Sequence, residues 1–137
     1  MFKPSLPRRF AVFAISVEMS FQASHQLALP DGSKEPAHSH NWSVKAEVAG
    51  ENLDGMGVVM DFHKLRAYLG NIIAPFDNSR LDAVDYFRQN AESAENLAKY
   101  IHDKLRGRLP KGVKIASIEV GEEKGCWAKY IAPENNF

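Results

Sequence analysis

Two long stretches of alternating apolar and polar residues limit the folds open to this chain. Residues 13–21 place an apolar side chain at every second position, and the same parity continues to His25. Residues 38–48 repeat the pattern, and the face that carries their apolar residues begins with two histidines. A period of two is typical of a strand with one buried face. Because a turn-rich segment at residues 30–33 separates them, the two stretches predict an antiparallel pair of strands.

The rest of the chain adds two helical stripes and two shorter alternating stretches. Apolar residues at helical spacing predict one helix that begins after the N-cap Asp61 and ends before Pro75, and a second helix over residues 93–105 with Ser93 as its N-cap. Alternation then returns at residues 114–122 and 126–131. The order ββααββ favours the α+β class, with a four-stranded antiparallel sheet and two helices on one face. Open sheet edges invite pairing with another subunit, so we expect a homo-oligomer.

The length and composition are typical of a soluble protein. The chain has 137 residues, and we expect a single domain over residues 1–137. Its 17 basic and 17 acidic residues balance, which argues against a nucleic-acid partner. No apolar stretch reaches the roughly 18 residues that a membrane span needs, and the first ten residues lack the apolar segment of a signal peptide. The single cysteine, Cys126, is interpreted as a core or interface thiol, and we expect a cytoplasmic protein.

Three histidines at the ends of the two long strands form a candidate metal site. His38 and His40 lie two residues apart and project from one face of a strand, while His25 ends the neighbouring strand. Three protein ligands with an open fourth position are typical of catalytic zinc. From spacing alone two interpretations remain, a zinc site or half-exposed histidines near a turn. His63 and His102 lie on the predicted helices without a partner at ligand spacing, and we interpret both as surface residues.

Five short segments follow one another along the chain in a recognisable order. They are FQASH at 21–25, HSHNW at 38–42, GVVMDF at 57–62, SAEN at 93–96, and Glu122 with Tyr130 eight residues later. They are similar, in turn, to F-x-A-x-H, H-G-H-N-Y, G-M-V-x-D-F, T-x-E-N and a pterin-binding glutamate. The chain therefore resembles the 6-pyruvoyltetrahydropterin synthase and 6-carboxytetrahydropterin synthase family over residues 13–131.

The resemblance implies both an architecture and a site. The architecture is the tunnelling fold, in which subunits join their sheets into a barrel, commonly as a hexamer of stacked barrels and otherwise as a trimer. The site is a zinc ion on His25, His38 and His40 that engages the side chain of 7,8-dihydroneopterin triphosphate. Glu122 is implied to hold the pterin, since a carboxylate accepts the 2-amino and N3–H donor pair. Ser93 keeps the hydroxyl of the T-x-E-N segment, so a pterin contact from it is expected as well.

Two catalytic positions of the family differ in this chain. The loop at residues 32–37 has no cysteine, and the family's Asp-His pair reads Asp77-Asn78. Asparagine does not take up a proton near neutral pH, so a histidine-based relay is missing. Glu35 is either the substitute base, as in one branch of the family, or an exposed loop residue. Asp77 is either an acid/base or orienting group, or a residue that forms an Asx turn with Asn78.

These features predict a zinc-dependent lyase that acts on the side chain of a dihydroneopterin. The reaction is open between a synthase reaction, to a 6-pyruvoyl or 6-carboxy product, and cleavage of the side chain to a hydroxymethyl pterin. Cleavage needs only the metal and one base, and Glu35 would serve. The alternatives from other classes are a non-catalytic pterin- or purine-binding homologue that retains zinc, and a structural sheet protein with incidental histidines. The pathway is equally open between biopterin, folate and deazapurine synthesis.

Overall fold

A five-stranded sheet organises residues 12–133, which are the residues that the computed structural model describes. Its strands are β1 (Phe13–His25), β2 (His38–Gly50), β3 (Ser79–Arg80), β4 (Lys114–Glu123) and β5 (Cys126–Tyr130). Their order in space is β3-β1-β2-β4-β5, and every pairing is antiparallel except that of β3 with β1. The predicted pair of long strands is therefore confirmed. The N-terminal segment in which we predict no signal peptide lies outside the described residues.

Two long helices pack on one face of the sheet, as predicted. The helices are α1 (Phe62–Ile73), the short α2 (Tyr86–Gln89) and α3 (Ala94–Arg106). Asp61 accepts a hydrogen bond from the His63 N–H at 2.8 Å, and Ser93 Oγ accepts one from the Asn96 N–H at 3.1 Å. Both predicted N-caps are thus confirmed, and each contributes about 1 kcal/mol to helix stability. Within residues 12–133, no helix has the length and apolar character of a membrane span.

The connection between α1 and α3 contains a strand that the sequence pattern does not predict. β3 pairs with only two residues of β1, too few for alternation to be visible. Its position is set by hydrogen bonds to Gln22, whose N–H donates to Asp77 Oδ1 at 3.1 Å and whose carbonyl accepts from the Asn78 N–H at 2.7 Å. Asn78 turns the chain at a φ of 58°, a conformation that asparagine tolerates. The predicted four-stranded sheet is corrected to five strands.

The core lies between the sheet and the helices α1 and α3. β1 and β2 contribute the inward residues of the two alternating stretches, which are Val17, Phe21, Ala23, Trp42, Val44, Ala46 and Val48. The helices add Leu65, Leu69, Ile72, Ile73, Leu97, Ala98, Ile101 and Leu105 to the same cluster. The first apolar residue of the β1 alternation, Phe13, is 45% exposed, and the first residue of the α1 stripe, Phe62, is 53% exposed. Both therefore lie outside this core.

The expectation for His102 is wrong, and that for Cys126 is wrong in part. His102 is only 5% exposed, because it lies beside the apolar stripe of α3 and its ring packs edge-on against Tyr130 of β5, with ring centroids 4.9 Å apart. Cys126 is exposed at the start of β5 and is not a core thiol, whereas its interpretation as an interface thiol stays a prediction. His63 is exposed on α1, as expected.

Candidate metal centre

The register of β1 and β2 brings the three predicted histidines together. His25 is paired directly with His38, and His40 is paired with Ala23, so the third histidine is diagonal to the first. Directly opposed side chains on one face start about 4.5–5.5 Å apart. All three imidazoles project from the face of the sheet that contains Trp42, as the parity of the sequence predicts.

The distances between the ring nitrogens fit a metal ion. His25 Nε2 lies 3.0 Å from His38 Nε2, and Glu122 Oε2 lies 3.3 Å from His40 Nε2 and 3.7 Å from His25 Nε2. One potential ligand atom from each of the four residues lies within 4.8 Å of all the others. Ligand atoms on a tetrahedral zinc ion, at bond lengths of about 2.0–2.1 Å, are roughly 3.3 Å apart. The group can therefore hold a metal ion after small shifts.

Backbone carbonyls fix the tautomers of two of these histidines. His25 Nδ1 lies 2.7 Å from the Glu92 carbonyl oxygen, and His38 Nδ1 lies 3.0 Å from that of Pro36. Because a carbonyl oxygen only accepts, each Nδ1 is the donor, and each Nε2 presents a lone pair. A carbonyl partner of this kind is the usual support for a metal-ligating histidine.

The resulting arrangement of lone pairs favours a cation at the centre of the group. With both Nδ1 atoms donating, the Nε2 lone pairs of His25 and His38 face each other at 3.0 Å, which is repulsive unless a proton or a metal ion lies between them. His40 Nε2 is buried and has no hydrogen-bond partner among the described residues, although Glu122 Oε2 is 3.3 Å away. A buried polar atom without a partner is costly, and coordination to a metal would satisfy it. The donor set of imidazoles and a carboxylate suits a transition metal such as zinc.

Trp42 forms the apolar wall beneath the histidines. It is fully buried, and its ring meets those of His25 and His40 edge-on, with centroids 4.9 and 5.5 Å away. Its indole N–H donates to the Ala23 carbonyl at 3.0 Å, so the ring cannot turn without losing that bond. The wall restricts the imidazole rotamers and lowers the local dielectric constant, and both effects strengthen coordination of an ion.

Glu35 borders the histidine group. Its Oε1 lies 4.0 Å from His38 Nε2 and accepts a hydrogen bond from the Leu27 N–H at 3.0 Å. The backbone N–H of Glu35 also donates to the Leu27 carbonyl at 3.0 Å, and its carbonyl accepts from Gln26 Nε2 at 3.1 Å. These bonds hold the carboxylate beside the histidines with the side chain 28% exposed. Glu35 is therefore a half-buried loop residue and not an exposed one, while its role as a substitute base stays a prediction.

The other two predicted site residues occupy different surroundings. Ser93 directly follows Glu92, whose carbonyl binds His25, but its Oγ is engaged as the N-cap of α3. Asp77 is exposed and binds the backbone of Gln22, and it makes no contact with the histidines within residues 12–133. The alternative of an Asx turn with Asn78 does not describe this carboxylate, because Oδ1 accepts from the Gln22 N–H. Functional roles for both residues stay predictions.

Sequence reasoning missed Glu92. This residue is only 9% exposed, and it holds the end of β1 at two points, since its carbonyl accepts from His25 and its Oε1 accepts from the Gln26 N–H at 3.2 Å. Its position directly before the predicted N-cap Ser93 was a weak signal of a structured residue. Nothing local in the sequence indicates a contact with a strand 66 or 67 residues earlier.

Comparison with known proteins identifies the family of the chain. A family profile described as 6-pyruvoyl tetrahydropterin synthase matches residues 14–133. The chain belongs to this family. It is 35% identical over 113 residues to the human 6-pyruvoyl tetrahydrobiopterin synthase, covering 72% of this chain and 78% of the human protein. It is also 29% identical over 103 residues to the dihydroneopterin monophosphate aldolase of Pyrococcus furiosus, covering 75% and 83%.

The fold is that of a solved family member. The Caenorhabditis elegans 6-pyruvoyl tetrahydropterin synthase superimposes with a TM-score of 0.76 at 22% identity, covering 91% of this chain and 99% of that one. The predicted tunnelling fold of the α+β class is therefore confirmed. The predicted enzyme class, that of the tetrahydropterin synthases, is confirmed by membership of the family.

Proposed function

We propose that this family member is a zinc-dependent enzyme that acts on the side chain of 7,8-dihydroneopterin or its triphosphate. The observation that supports this best is the convergence of three imidazole nitrogens and one carboxylate within 4.8 Å, with the Nε2 atoms of His25 and His38 only 3.0 Å apart. His25, His38 and His40 would hold the ion. When bound, zinc supplies a Lewis acid that polarises a substrate oxygen.

Glu35 is the proposed general base. Its carboxylate is held by the Leu27 N–H and lies 4.0 Å from His38 Nε2, so it borders the position that the histidines define. From there it can accept a proton from the side chain of a substrate bound at that position. Its partial exposure allows the proton to pass on to solvent. In this assignment Glu35 takes the role that the family pattern gives to a cysteine in the same loop.

Two further residues are proposed to bind the pterin ring. Glu122 would accept the 2-amino and N3–H donors, and a carboxylate with no other hydrogen bond is suited to a bidentate contact of this kind. Ser93 Oγ accepts a hydrogen bond from Asn96, which leaves its O–H free to donate. Asp77 is proposed as an acid/base or orienting group. Its Oδ1 accepts from Gln22, while Oδ2 has no hydrogen bond within the described range.

Side-chain cleavage to a hydroxymethyl pterin is the more specific candidate for the reaction. The synthase reaction requires a relay of protons, and this chain has Asn78 where the family has a histidine, and no cysteine at residues 32–37. Cleavage requires one base beside the metal, and Glu35 is the carboxylate in that place. The similarity to an archaeal dihydroneopterin monophosphate aldolase favours the same candidate.

The products formed from dihydroneopterin triphosphate test this proposal. We expect the purified chain to release a hydroxymethyl dihydropterin, identified by mass, together with a two-carbon aldehyde that retains the triphosphate. A 6-pyruvoyl or 6-carboxy product would contradict cleavage and support the synthase reaction. Tight pterin binding without any product would contradict catalysis and support a non-catalytic binding protein.

We further propose that the chain works in the cytoplasm as a homo-oligomer, a hexamer or a trimer. The support for an oligomer is the exposure of apolar side chains on the edge strand β5 and at the start of β1, which β3 covers only at Ala23 and Ser24. Trp127 of β5 is 51% exposed and Ile131, just beyond it, is 57% exposed, while Phe13 on β1 is 45% exposed. Edge strands with apolar side chains of this kind are suited to pairing with another subunit.

A further inference from the structure

Glu92 binds the end of β1 at two consecutive residues. Its carbonyl oxygen accepts a hydrogen bond from His25 Nδ1 at 2.7 Å, and its carboxylate oxygen Oε1 accepts one from the Gln26 N–H at 3.2 Å. His25 and His38 form the last pair of the β1–β2 ladder, so Gln26 lies beyond the ladder and its N–H bonds to Glu92. Because Glu92 directly precedes the N-cap of α3, it ties both the ring of His25 and the backbone that follows it to the start of that helix.

The carboxylate of Glu92 is buried for a reason beyond its place at a helix terminus. Glu92 is only 9% exposed, whereas a glutamate is almost never buried unless it is paired. The positive end of the α3 dipole lies directly behind it and favours an anion there. Glu95, in the first turn of α3, is close to the same end of the helix and is exposed. The hydrogen bond with Gln26, and not the dipole alone, therefore accounts for the burial of Glu92.

The segment that follows His25 is held from its other side by the loop of Glu35. Gln26 Nε2 donates to the Glu35 carbonyl at 3.1 Å, and the Leu27 N–H donates to Glu35 Oε1 at 3.0 Å. These bonds fix the chain beyond the histidine, but neither of them reaches its ring. The bond that does reach the ring, at Nδ1, is the one to the Glu92 carbonyl. The orientation of the His25 ring therefore depends on the position of Glu92.

We propose that Glu92 is a positioning residue of the metal centre, whose carboxylate holds Gln26 so that its carbonyl remains on His25 Nδ1. The proposal rests on the metal site proposed above and is independent of the reaction. The carbonyl keeps the ring proton on Nδ1, so that Nε2 keeps the lone pair that binds an ion. Without the carboxylate, the start of α3 can move away from β1, and the ring can take the tautomer with its proton on Nε2. Losing an outer partner of this kind typically lowers metal affinity by about 10- to 100-fold.

The zinc affinities of three variants test the proposal. Glu92→Ala removes the carboxylate and is expected to lower the affinity by about tenfold or more. Glu92→Gln should restore it, because the amide oxygen accepts from the Gln26 N–H without a charge. Glu95→Ala is the matched control, since it removes from the same end of α3 an exposed carboxylate that forms no hydrogen bond or ion pair within residues 12–133. Wild-type affinity in Glu92→Ala, or an equal loss in Glu92→Gln, would overturn the proposal.

The proton on His25 Nδ1 gives a second readout, by NMR, that needs no metal. In the metal-free, isotopically labelled wild type, this proton should exchange slowly with solvent, because it is buried and hydrogen-bonded. Glu92→Gln should keep the slow exchange, and Glu92→Ala should exchange faster by about tenfold or more, the counterpart of the expected loss of affinity. An unchanged exchange rate in Glu92→Ala would overturn the proposal.

Glu92→Asp takes the place of the alanine variant in both measurements if Glu92→Ala does not fold. It keeps the charge but withdraws the carboxylate from the Gln26 N–H by one methylene, so the same losses are expected and wild-type behaviour would again overturn the proposal. Failure of the proposed zinc site has a different signature, which is a wild type that shows the slowly exchanging His25 proton and binds no zinc. The exchange rates of the variants then decide the role of Glu92.

Discussion

Replacing His25 by alanine is expected to lower the zinc affinity by more than about 100-fold and to abolish turnover. The estimate exceeds the 10- to 100-fold loss typical of removing an outer partner of a metal ligand, because His25 is itself a ligand in this account. The side chain is fully buried against Trp42 and Glu92, so a water molecule has little access to replace it. Competition with a chromophoric chelator measures the affinity directly.

His63 provides the control for this experiment. It is an exposed histidine on α1 without a side-chain partner within residues 12–133, so His63→Ala removes an imidazole but no proposed ligand. We expect its zinc affinity and turnover to match those of the wild type. Equal zinc affinity in the His25→Ala and His63→Ala proteins would show that β1 does not contribute to the metal site.

Glu35→Gln is expected to lower kcat by about 10²–10⁴-fold, the usual contribution of a general base, while zinc stays bound. Glutamine has the same size and its carbonyl oxygen still accepts from the Leu27 N–H, so the loop geometry is preserved. What it lacks is the ability to take up a proton. Steady-state kinetics with dihydroneopterin triphosphate, together with zinc content on the same samples, separates loss of the base from loss of the metal.

Glu18→Gln is the matched control for the loss of a carboxylate. Glu18 is exposed on β1, and its side chain forms no hydrogen bond or ion pair within the described residues. Its replacement should leave kcat unchanged. If Glu35→Gln turned over as fast as Glu18→Gln, Glu35 would not be the base and the proton acceptor would have to be sought elsewhere.

The parts of the site that depend on local periodicity could be predicted from the sequence. Alternation along β1 and β2 gives the parity of His25, His38 and His40, and parity alone decides which face of a strand a side chain takes. The N-caps at Asp61 and Ser93 depend on a side chain and a backbone N–H two or three residues later. Such short-range features are expressed in the order of residues, and the structure confirms them.

The parts that depend on distant contacts could not be predicted. Glu92 contacts Gln26 and His25, which lie 66 and 67 residues earlier in the chain. Asp77 contacts Gln22, which lies 55 residues earlier. Neither contact has a local sequence pattern. Alternation along β4 places Glu122 on the same face as Ile118 and Val120, but its distance from the histidines depends on the pairing of β4 with β2, which no local pattern expresses. Resemblance to the family identifies Glu122 as a functional residue, but only the geometry shows its closeness to the histidines.

Removal and return of zinc tests the central claim, a catalytic zinc ion on His25, His38 and His40, most directly. Protein purified without a His tag or chelator is expected to contain about one zinc ion per chain, the content of a site with one ion on three protein ligands. Dialysis against a strong chelator should abolish conversion of dihydroneopterin triphosphate, and one equivalent of Zn²⁺ should restore it in the wild type but not in His38→Ala. Full conversion by protein shown to be free of metal, or equal restoration in His38→Ala, would contradict the account.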